Sequence, residues 1–212
     1  IMEEVYGATQ GDQNIMRRAK FMATLLERKK LYIDENLLVG SMASTVNGIY
    51  TYPEWNIDWM KDDNTVEKCK DPEDKRVNQW ALDYWEKRAL KPRTLEIFEK
   101  KYGFDPRPSY DSGNVVSFFD WPGGGGNLNY PRIYNHGLAA MIKEVEERQA
   151  ALDMRLPNAS KLYFYEASLI LMRSIVRLAH RYAELAREMA AKEKDAIRKA
   201  ELIAIAETCE WV

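Results

Sequence analysis

The sequence predicts a mostly α-helical chain with one or two short strands. Apolar residues recur at helical spacing along much of its 212 residues, and the pattern is almost continuous from residue 134 onward. Hydrophobic residues make up 46% of the chain and charged residues 30%, which is the balance of a folded globular protein and not of a disordered one. The length is sufficient for one substantial domain with its own core.

The first long helix is predicted to begin at Asp12, whose side chain can cap it. Its apolar face carries four residues at helical spacing: Ile15, Ala19, Met22 and Leu26. After a polar turn at 34–36, the run from Leu37 to Gly40 predicts a short buried strand.

The middle of the chain predicts shorter helices followed by a long loop. Pro53 is expected to open a short helix, residues 77–85 mark the next one, and a third runs from Pro92 to a stop at Gly103. Residues 103–131 are rich in glycine and proline and contain the run Gly123 to Gly126, which predicts a long loop. Long loops inside compact domains are usually functional or disordered.

The C-terminal part predicts three helices. The first places Tyr134, Leu138, Met141, Val145 and Leu152 on one face, and the others cover about 158–192 and 195–211. The first half of the 158–192 helix is apolar nearly all round, so we expect at least two of its sides to be buried, with Leu169, Ile170, Met172, Ile175 and Val176 in the core.

Composition argues against several functional classes. The net charge is −2 and no basic arm is present, so a nucleic-acid binder is not expected. No signal peptide is seen, and the richest apolar run, 169–176, is too short to span a membrane. Cys69 and Cys209 form no disulfide framework, and His136 and His180 are isolated, so we expect no metal site and a cytoplasmic location.

The two ends of the chain predict a piece of a larger protein. The sequence begins at Ile1 without an initiator methionine and stops at Val212 directly after a helical pattern. The helices also carry more apolar surface than one buried face requires.

The glycine run is the one unusual local feature, and two interpretations of it stay open. It does not fit the dinucleotide-binding fingerprint, because no strand and helix flank it in the required order. Successive glycine N–H groups could form a nest for a carboxylate, or the run could be a surface loop. Composition and periodicity therefore name no function by themselves.

Four stretches, in the right order, resemble the N-terminal region of glycyl radical enzymes of the pyruvate formate-lyase type. The first joins the basic helix at 17–20 to residues 32–40, the second covers Asn47 to Glu54, and the third is Tyr134 to Gly137. The fourth and most specific contains Phe164, Tyr165, Ala167, Arg181, Tyr182, Ala183, Leu185, Ala186, Glu193, Arg198, Lys199, Glu201, Leu202, Ile205, Ala206, Glu207 and Cys209. The resemblance covers nearly the whole chain, 1–212.

The resemblance implies a parent fold of ten strands in an α/β barrel wrapped in helices. It also implies a glycyl radical, installed by an iron-sulfur and S-adenosylmethionine activating enzyme, and a thiyl radical on a barrel cysteine. The glycine segment and the cysteine segment that would carry these two radicals are both absent from this sequence, so no catalytic residue and no cofactor site are expected in the chain. Cys209 belongs to a helix-end pattern and Cys69 matches nothing catalytic.

The resemblance also implies substrate-lining residues. Family dehydratases carry an aromatic residue and, eight positions later, a histidine in the pocket; in this sequence these places fall on Phe118 and Gly126. We therefore expect Phe118, Phe119, Gly125 and Gly126 to line the pocket. Since glycine offers no side-chain partner to a substrate hydroxyl, a bulkier or more apolar substrate is expected.

The function implied is that of a radical lyase, cleaving C–C or C–heteroatom bonds as a dehydratase or decarboxylase, or adding a hydrocarbon to fumarate. Its expected partners are the remainder of the parent enzyme, the activating enzyme, a small organic substrate and a second copy in a homodimer. This chain alone is expected to be inactive. The alternative is a stand-alone helical interaction module that kept the fold without the chemistry.

Overall fold

The computed structural model describes residues 1–43, 46, 52–108, 129–153, 155 and 158–212. These residues form helices α1 (Met2–Ala8), α2 (Asn14–Arg28), α3 (Asp58–Asp62), α4 (Thr65–Lys68), α5 (Pro72–Trp85), α6 (Leu90–Tyr102), α7 (Tyr130–Ala150), α8 (Ala159–Lys192) and α9 (Ala196–Glu210). The chain divides into two compact units, Ile1–Tyr50 with Asn129–Val212 and Thr51–Leu128.

The first unit is organised around α8, which packs against α2, α7 and α9. The seam between the C-terminal half of α8 and α9 is lined by small residues that are almost completely buried: Ala183, Ala186, Ala190 and Ala206. Larger side chains from both helices, Tyr182, Leu202 and Ile205, complete this cluster. Because alanine leaves little side chain between two helices, their axes can approach closely and exclude water from the seam.

The predicted bounds of the long helix are confirmed, but not all of the residues that were expected in the core are buried. α8 begins within a residue of the predicted start and ends at Lys192. Leu169 is 5% exposed, and Ile170 packs against the smaller cluster of Met16, Ala19 and Ala167. Ile175, expected in the core, is 43% exposed, so that part of the prediction is wrong.

The predicted strand at 37–40 is wrong, since no strand occurs among the described residues. Leu37 is 61% exposed and Leu38 is 90% exposed, whereas Val39 packs against the α8–α9 cluster. The physical reason is pairing: a strand needs a neighbouring strand for its backbone groups, and no described segment supplies one. This stretch is held by side chains instead.

Three basic side chains fix the course of residues 26–43. Lys29 is 3% exposed, and its ammonium donates to the carbonyls of Ser41 and Ala43. Arg181 donates to the carbonyl oxygens of Leu26 at 2.5 Å and Lys29 at 2.7 Å, which satisfies acceptors that the end of α2 leaves open. Arg198 reaches the carbonyls of 34 and 35 in the same way.

The predicted apolar face of α2 is partly wrong. Ala19 and Leu26 are buried as expected, but Ile15 is 41% exposed and Met16 is buried in its place. Met16 and Ala19 pack in a cluster with Ala167 of α8. On another side of α2, the Tyr6 ring of α1 packs on Phe21 with ring centres 5.6 Å apart. Phe21 is only 2% exposed, so the buried surface of α2 is wider than its spacing pattern indicates.

The second unit contains α3 to α6. Its buried residues include Ile57, Met60, Val66, Ala81, Trp85 and Ala89. Asp71 caps α5 by accepting from the N–H groups of Glu73 and Asp74, and Gly103 ends α6 with φ 71°. The predicted Gly103 stop is therefore confirmed, although α6 begins at Leu90, two residues before Pro92.

Candidate functional site

The four predicted substrate-lining residues, Phe118, Phe119, Gly125 and Gly126, lie in 109–128, outside the described residues. The described flanks of this segment are the end of α6 in one unit and the start of α7 in the other. Each flank carries aromatic side chains and charged groups whose geometry is defined.

The C-terminal flank begins with a capped turn of helix. The Asn129 side chain accepts from the Arg132 N–H, and a proline follows at 131, where its missing N–H costs nothing. Tyr130 and Tyr134 stack with ring centres 6.1 Å apart, and they are 52% and 80% exposed. Within 130–136 only Ile133 is partly buried, so packing contributes little to holding this turn.

Gly137 interrupts α7 with φ 70° and ψ 169°, while the residues on both sides are helical. A Cβ at this position would meet nothing within 4 Å, so backbone conformation and not crowding requires glycine. Arg132, before the break, forms an ion pair with Glu144, after it, and Arg148 contacts the same carboxylate at 2.7 Å. The hydrogen bond from Arg132 is the main reason why the pKa of Glu144 lies below its ordinary value.

The N-terminal flank is an aromatic cluster at the end of α6. Phe98, Tyr102 and Phe104 lie with ring centres 5.5 to 6.4 Å apart, and the last two are more than half exposed. An open cleft of about 420 Å³ adjoins them, lined by Pro92, Leu95, Glu96, Glu99, Gly103, Phe104, Asp105 and Arg107. A hydrogen bond from Arg107 lowers the pKa of Asp105, so these two charged residues of the cleft pair with each other.

The Tyr52–Glu54 stretch, singled out by its resemblance, forms a turn that meets the start of α6. The Leu90 N–H donates to the Glu54 carbonyl at 3.0 Å, and the Lys91 N–H donates to the Trp55 carbonyl at 2.9 Å. Glu54 itself is 8% exposed. Helix N-terminal donors need acceptors, and the turn supplies two of them from its backbone.

Several residues of the most specific motif prove to hold the first unit together. Arg181 and Arg198 bind the backbone of 26–35, and Tyr182, Leu202 and Ala206 form the core. The sequence indicated these residues only as a family pattern, without their contacts. The role of Lys29 could not be predicted, because a lysine in a basic run gives no sign that it will be buried.

The two cysteines lie in different surroundings. Cys209 is 9% exposed in the α8–α9 cluster, and burial followed by the Glu210 charge raises the pKa of its thiol. Cys69 donates to the Thr65 carbonyl at 3.2 Å. Within the described ranges, no three His, Cys, Asp or Glu side chains are grouped so that they could hold a metal ion. No described helix combines the length and apolarity needed to cross a membrane.

Comparison with known proteins gives consistent matches over the whole chain. A family model described as pyruvate formate lyase-like matches residues 1–212. The trans-4-hydroxy-L-proline dehydratase of Clostridioides difficile is 28% identical over 223 residues, covering 100% of this chain and 28% of the dehydratase. The isethionate sulfite-lyase of Nitratidesulfovibrio vulgaris is 30% identical over 229 residues, covering 97% of this chain and 27% of the lyase.

Solved structures agree with these sequence matches. A glycyl radical enzyme from Archaeoglobus fulgidus superposes with a TM-score of 0.82 at 25% identity, covering 99% of this chain and 28% of that enzyme. The chain thus spans a little over a quarter of the length of these relatives.

Proposed function

Because this chain belongs to the pyruvate formate lyase-like family, we propose that it is the N-terminal part of a glycyl radical enzyme. The intact enzyme would be a radical lyase acting on a small organic substrate. The observation that carries the proposal is that one family match and the similarity to a glycyl radical enzyme both extend over essentially the whole chain. Similar proteins are named as a dehydratase and a sulfite-lyase, so both reaction types fit the proposal.

In this proposal the chemistry resides on residues outside this 212-residue chain. The radical glycine, the thiyl cysteine and the site for the activating enzyme belong to the remaining three quarters of the parent polypeptide. This chain supplies helices that pack around the barrel and one wall of the substrate pocket. We also propose that the intact enzyme is cytoplasmic and forms a homodimer.

We assign the pocket wall to Phe118, Phe119, Gly125 and Gly126. Support comes from the resemblance and from the exposed aromatic rings beside the segment on both flanks. Glycine at 126 provides no side-chain partner for a substrate hydroxyl, and a buried hydroxyl without a partner is costly. The pocket is therefore proposed to favour a less hydroxylated or bulkier substrate, such as an arylacetate or a hydrocarbon.

Kinetics of the intact parent enzyme test this assignment. Phe118→Ala should raise KM, and Gly126→His should lower turnover of the native substrate by filling the pocket. Trp211→Ala is the control for the general effect of replacing an aromatic residue, because Trp211 lies outside the proposed wall. If the Phe118→Ala and Gly126→His variants both keep the kinetics of the unchanged enzyme, the assignment of this segment to the pocket wall is wrong.

Sequence beyond this chain tests the family chemistry itself. A cysteine-loop motif and a C-terminal glycine motif in the same gene product would support the enzyme. Their absence from the whole locus would instead favour the interaction module.

A further inference from the structure

Helix α6 has the residue pattern of a helix that packs on one side. Its large apolar residues are Leu90, Leu95, Ile97, Phe98 and Tyr102. At 100° per residue they fall within about 160° of the circumference of the helix. The opposite side carries charged residues, among them Arg93, Glu96 and Lys100. We call the apolar side, together with Phe104 directly after the helix, the α6 face.

The α6 face is not covered in the structure. Among the described residues, α6 contains no buried side chain, and no other helix packs extensively against it. Ile97 is 58% exposed, Tyr102 is 56% exposed and Phe104 is 52% exposed. The rings of Phe98, Tyr102 and Phe104 lie with their centres 5.5 to 6.4 Å apart, so they form one surface.

The contacts that α6 makes hold mainly its two ends. The carbonyls of Glu54 and Trp55 accept from the N–H groups of Leu90 and Lys91 at its start, and Gly103 ends it in the left-handed conformation. A helix of 13 residues is marginal in water unless its apolar side is packed. A second apolar surface is therefore needed to stabilise α6.

The exposed area favours a contact within one longer polypeptide. Four side chains of the α6 face are about half exposed, and at about 200 Å² each they leave on the order of 400 Å² open to water: Leu90, Ile97, Tyr102 and Phe104. A stable dimer buries about 800 Å² on each partner, which is about twice this area. Surfaces of one chain are already tethered, so a smaller contact is sufficient. This chain covers 28% and 27% of two similar proteins, so a parent of that length has ample polypeptide for the second surface.

We propose that the α6 face is the surface on which an apolar part of the remaining parent polypeptide packs. The open cleft of about 420 Å³ beside Phe104 gives room for side chains of that occupant. A second cleft of about 300 Å³ shares Pro92, Leu95 and Arg107 with the first, so the two adjoin along α6. The inference rests on the proposed function, which supplies the longer polypeptide, and it assigns α6 no part in catalysis.

Cysteine labelling of the intact parent enzyme tests this contact without any activity. Tyr102→Cys places a thiol on the α6 face, and Lys100→Cys places one on the charged side, about 200° around the same helix. Reaction rates with a maleimide, measured for each peptide by mass spectrometry, are compared between the parent and the 212-residue chain. In the parent, Tyr102→Cys should react at least about tenfold more slowly than in the 212-residue chain. Lys100→Cys is the control and should react at a similar rate in both.

Three results would overturn the inference. The first is an equal labelling rate for Tyr102→Cys in the parent and in the 212-residue chain, which would leave the α6 face open. The second is slow labelling in the 212-residue chain that becomes slower with concentration, because a second copy would then cover the face. The third is slow labelling in that chain at every concentration, because the chain would then cover its own α6 face.

A charge placed on the α6 face provides a second measurement. In the parent, Ile97→Asp should raise the hydrogen-exchange rate of peptides from 90–102 at least about tenfold, because a buried carboxylate without a partner is costly. Ile97→Leu is the matched control, since it keeps an apolar side chain of the same size, and it should leave the exchange rate unchanged. An unchanged exchange rate in Ile97→Asp would contradict the inference.

The glycyl radical signal of the same parent preparations separates this inference from the proposed function. An open α6 face in a parent that carries the radical refutes the inference alone. A covered α6 face in a parent that gives no radical after treatment with its activating enzyme refutes the proposed function alone.

Discussion

Leu202 provides the sharpest test of the core of the first unit. It is 1% exposed in the cluster between α8 and α9, whereas Ile197, one and a half turns earlier on the same helix, is 74% exposed. Replacing each by alanine removes the same number of carbon atoms. The two variants therefore differ in burial and hardly in chemistry, which makes Ile197→Ala a matched control.

The expected loss of stability follows from this burial. Three buried carbons at about 0.8 kcal/mol each give about 2.4 kcal/mol for Leu202→Ala. The cavity left in a tightly packed seam adds to this, so the total should be about 3 to 4 kcal/mol. Ile197→Ala loses only the buried quarter of its side chain, which amounts to about 0.5 kcal/mol.

Urea unfolding of the 212-residue chain, followed by circular dichroism, would measure both values. With a slope of about 2 kcal/mol per M, Leu202→Ala should lower the midpoint by about 1.5 M or more. Hydrogen exchange of peptides from 196–210 would attribute the change to the first unit. Equal losses in the two variants, or a loss below about 1 kcal/mol for Leu202→Ala, would refute this packing of α8 and α9.

Three further predictions concern chemistry. Incubated without oxygen with an activating enzyme and S-adenosylmethionine, this chain alone should give no glycyl radical doublet by electron paramagnetic resonance, and a doublet would relocate the radical glycine. Burial, then the Arg181 charge, lowers the pKa of Lys29, so the unfolded chain binds more protons between the folded pKa and the ordinary value of 10.5. Stability should therefore rise with pH through that window, and titrations at several pH values should show a smaller rise in Lys29→Met. Elemental analysis of a chelator-washed sample should find no stoichiometric zinc; one bound zinc per chain would show that His136, His180 or a cysteine had been misjudged.

The helices could be predicted because their signals are local. Asp195 caps the helix that follows it, and Gly103 ends α6 in the left-handed conformation, so these two boundaries are encoded within a few residues. Asp71 caps α5 in the same way, but the prediction began that helix only at residue 77, five residues late. The length of α8 follows from an apolar pattern that no proline or glycine interrupts. Such features need no knowledge of what packs against them.

The errors occurred where a distant partner decides the structure. Leu37 and Leu38 are residues typical of a buried strand, yet both are exposed. Strand formation depends on a neighbouring strand, which no local pattern reveals. Met16 is buried in place of Ile15 because α8 packs against that side of α2, which the spacing pattern of α2 does not reveal. For the proposed pocket wall, the sequence offered only a resemblance at Phe118 and Gly126, because a substrate pocket is assembled from segments far apart in the chain.

The alanine seam between α8 and α9 also constrains how this protein can diverge. Ala186 and Ala206 are both 0% exposed and lie in the cluster between α8 and α9, so a larger side chain at either position would have to displace its neighbours. A larger residue at either position would push the helices apart and cost about 1 to 3 kcal/mol. Homologous proteins should therefore keep a small residue, alanine or glycine, at both positions. The need for small residues in this seam would limit the sequences that α9 can adopt while it still packs against α8.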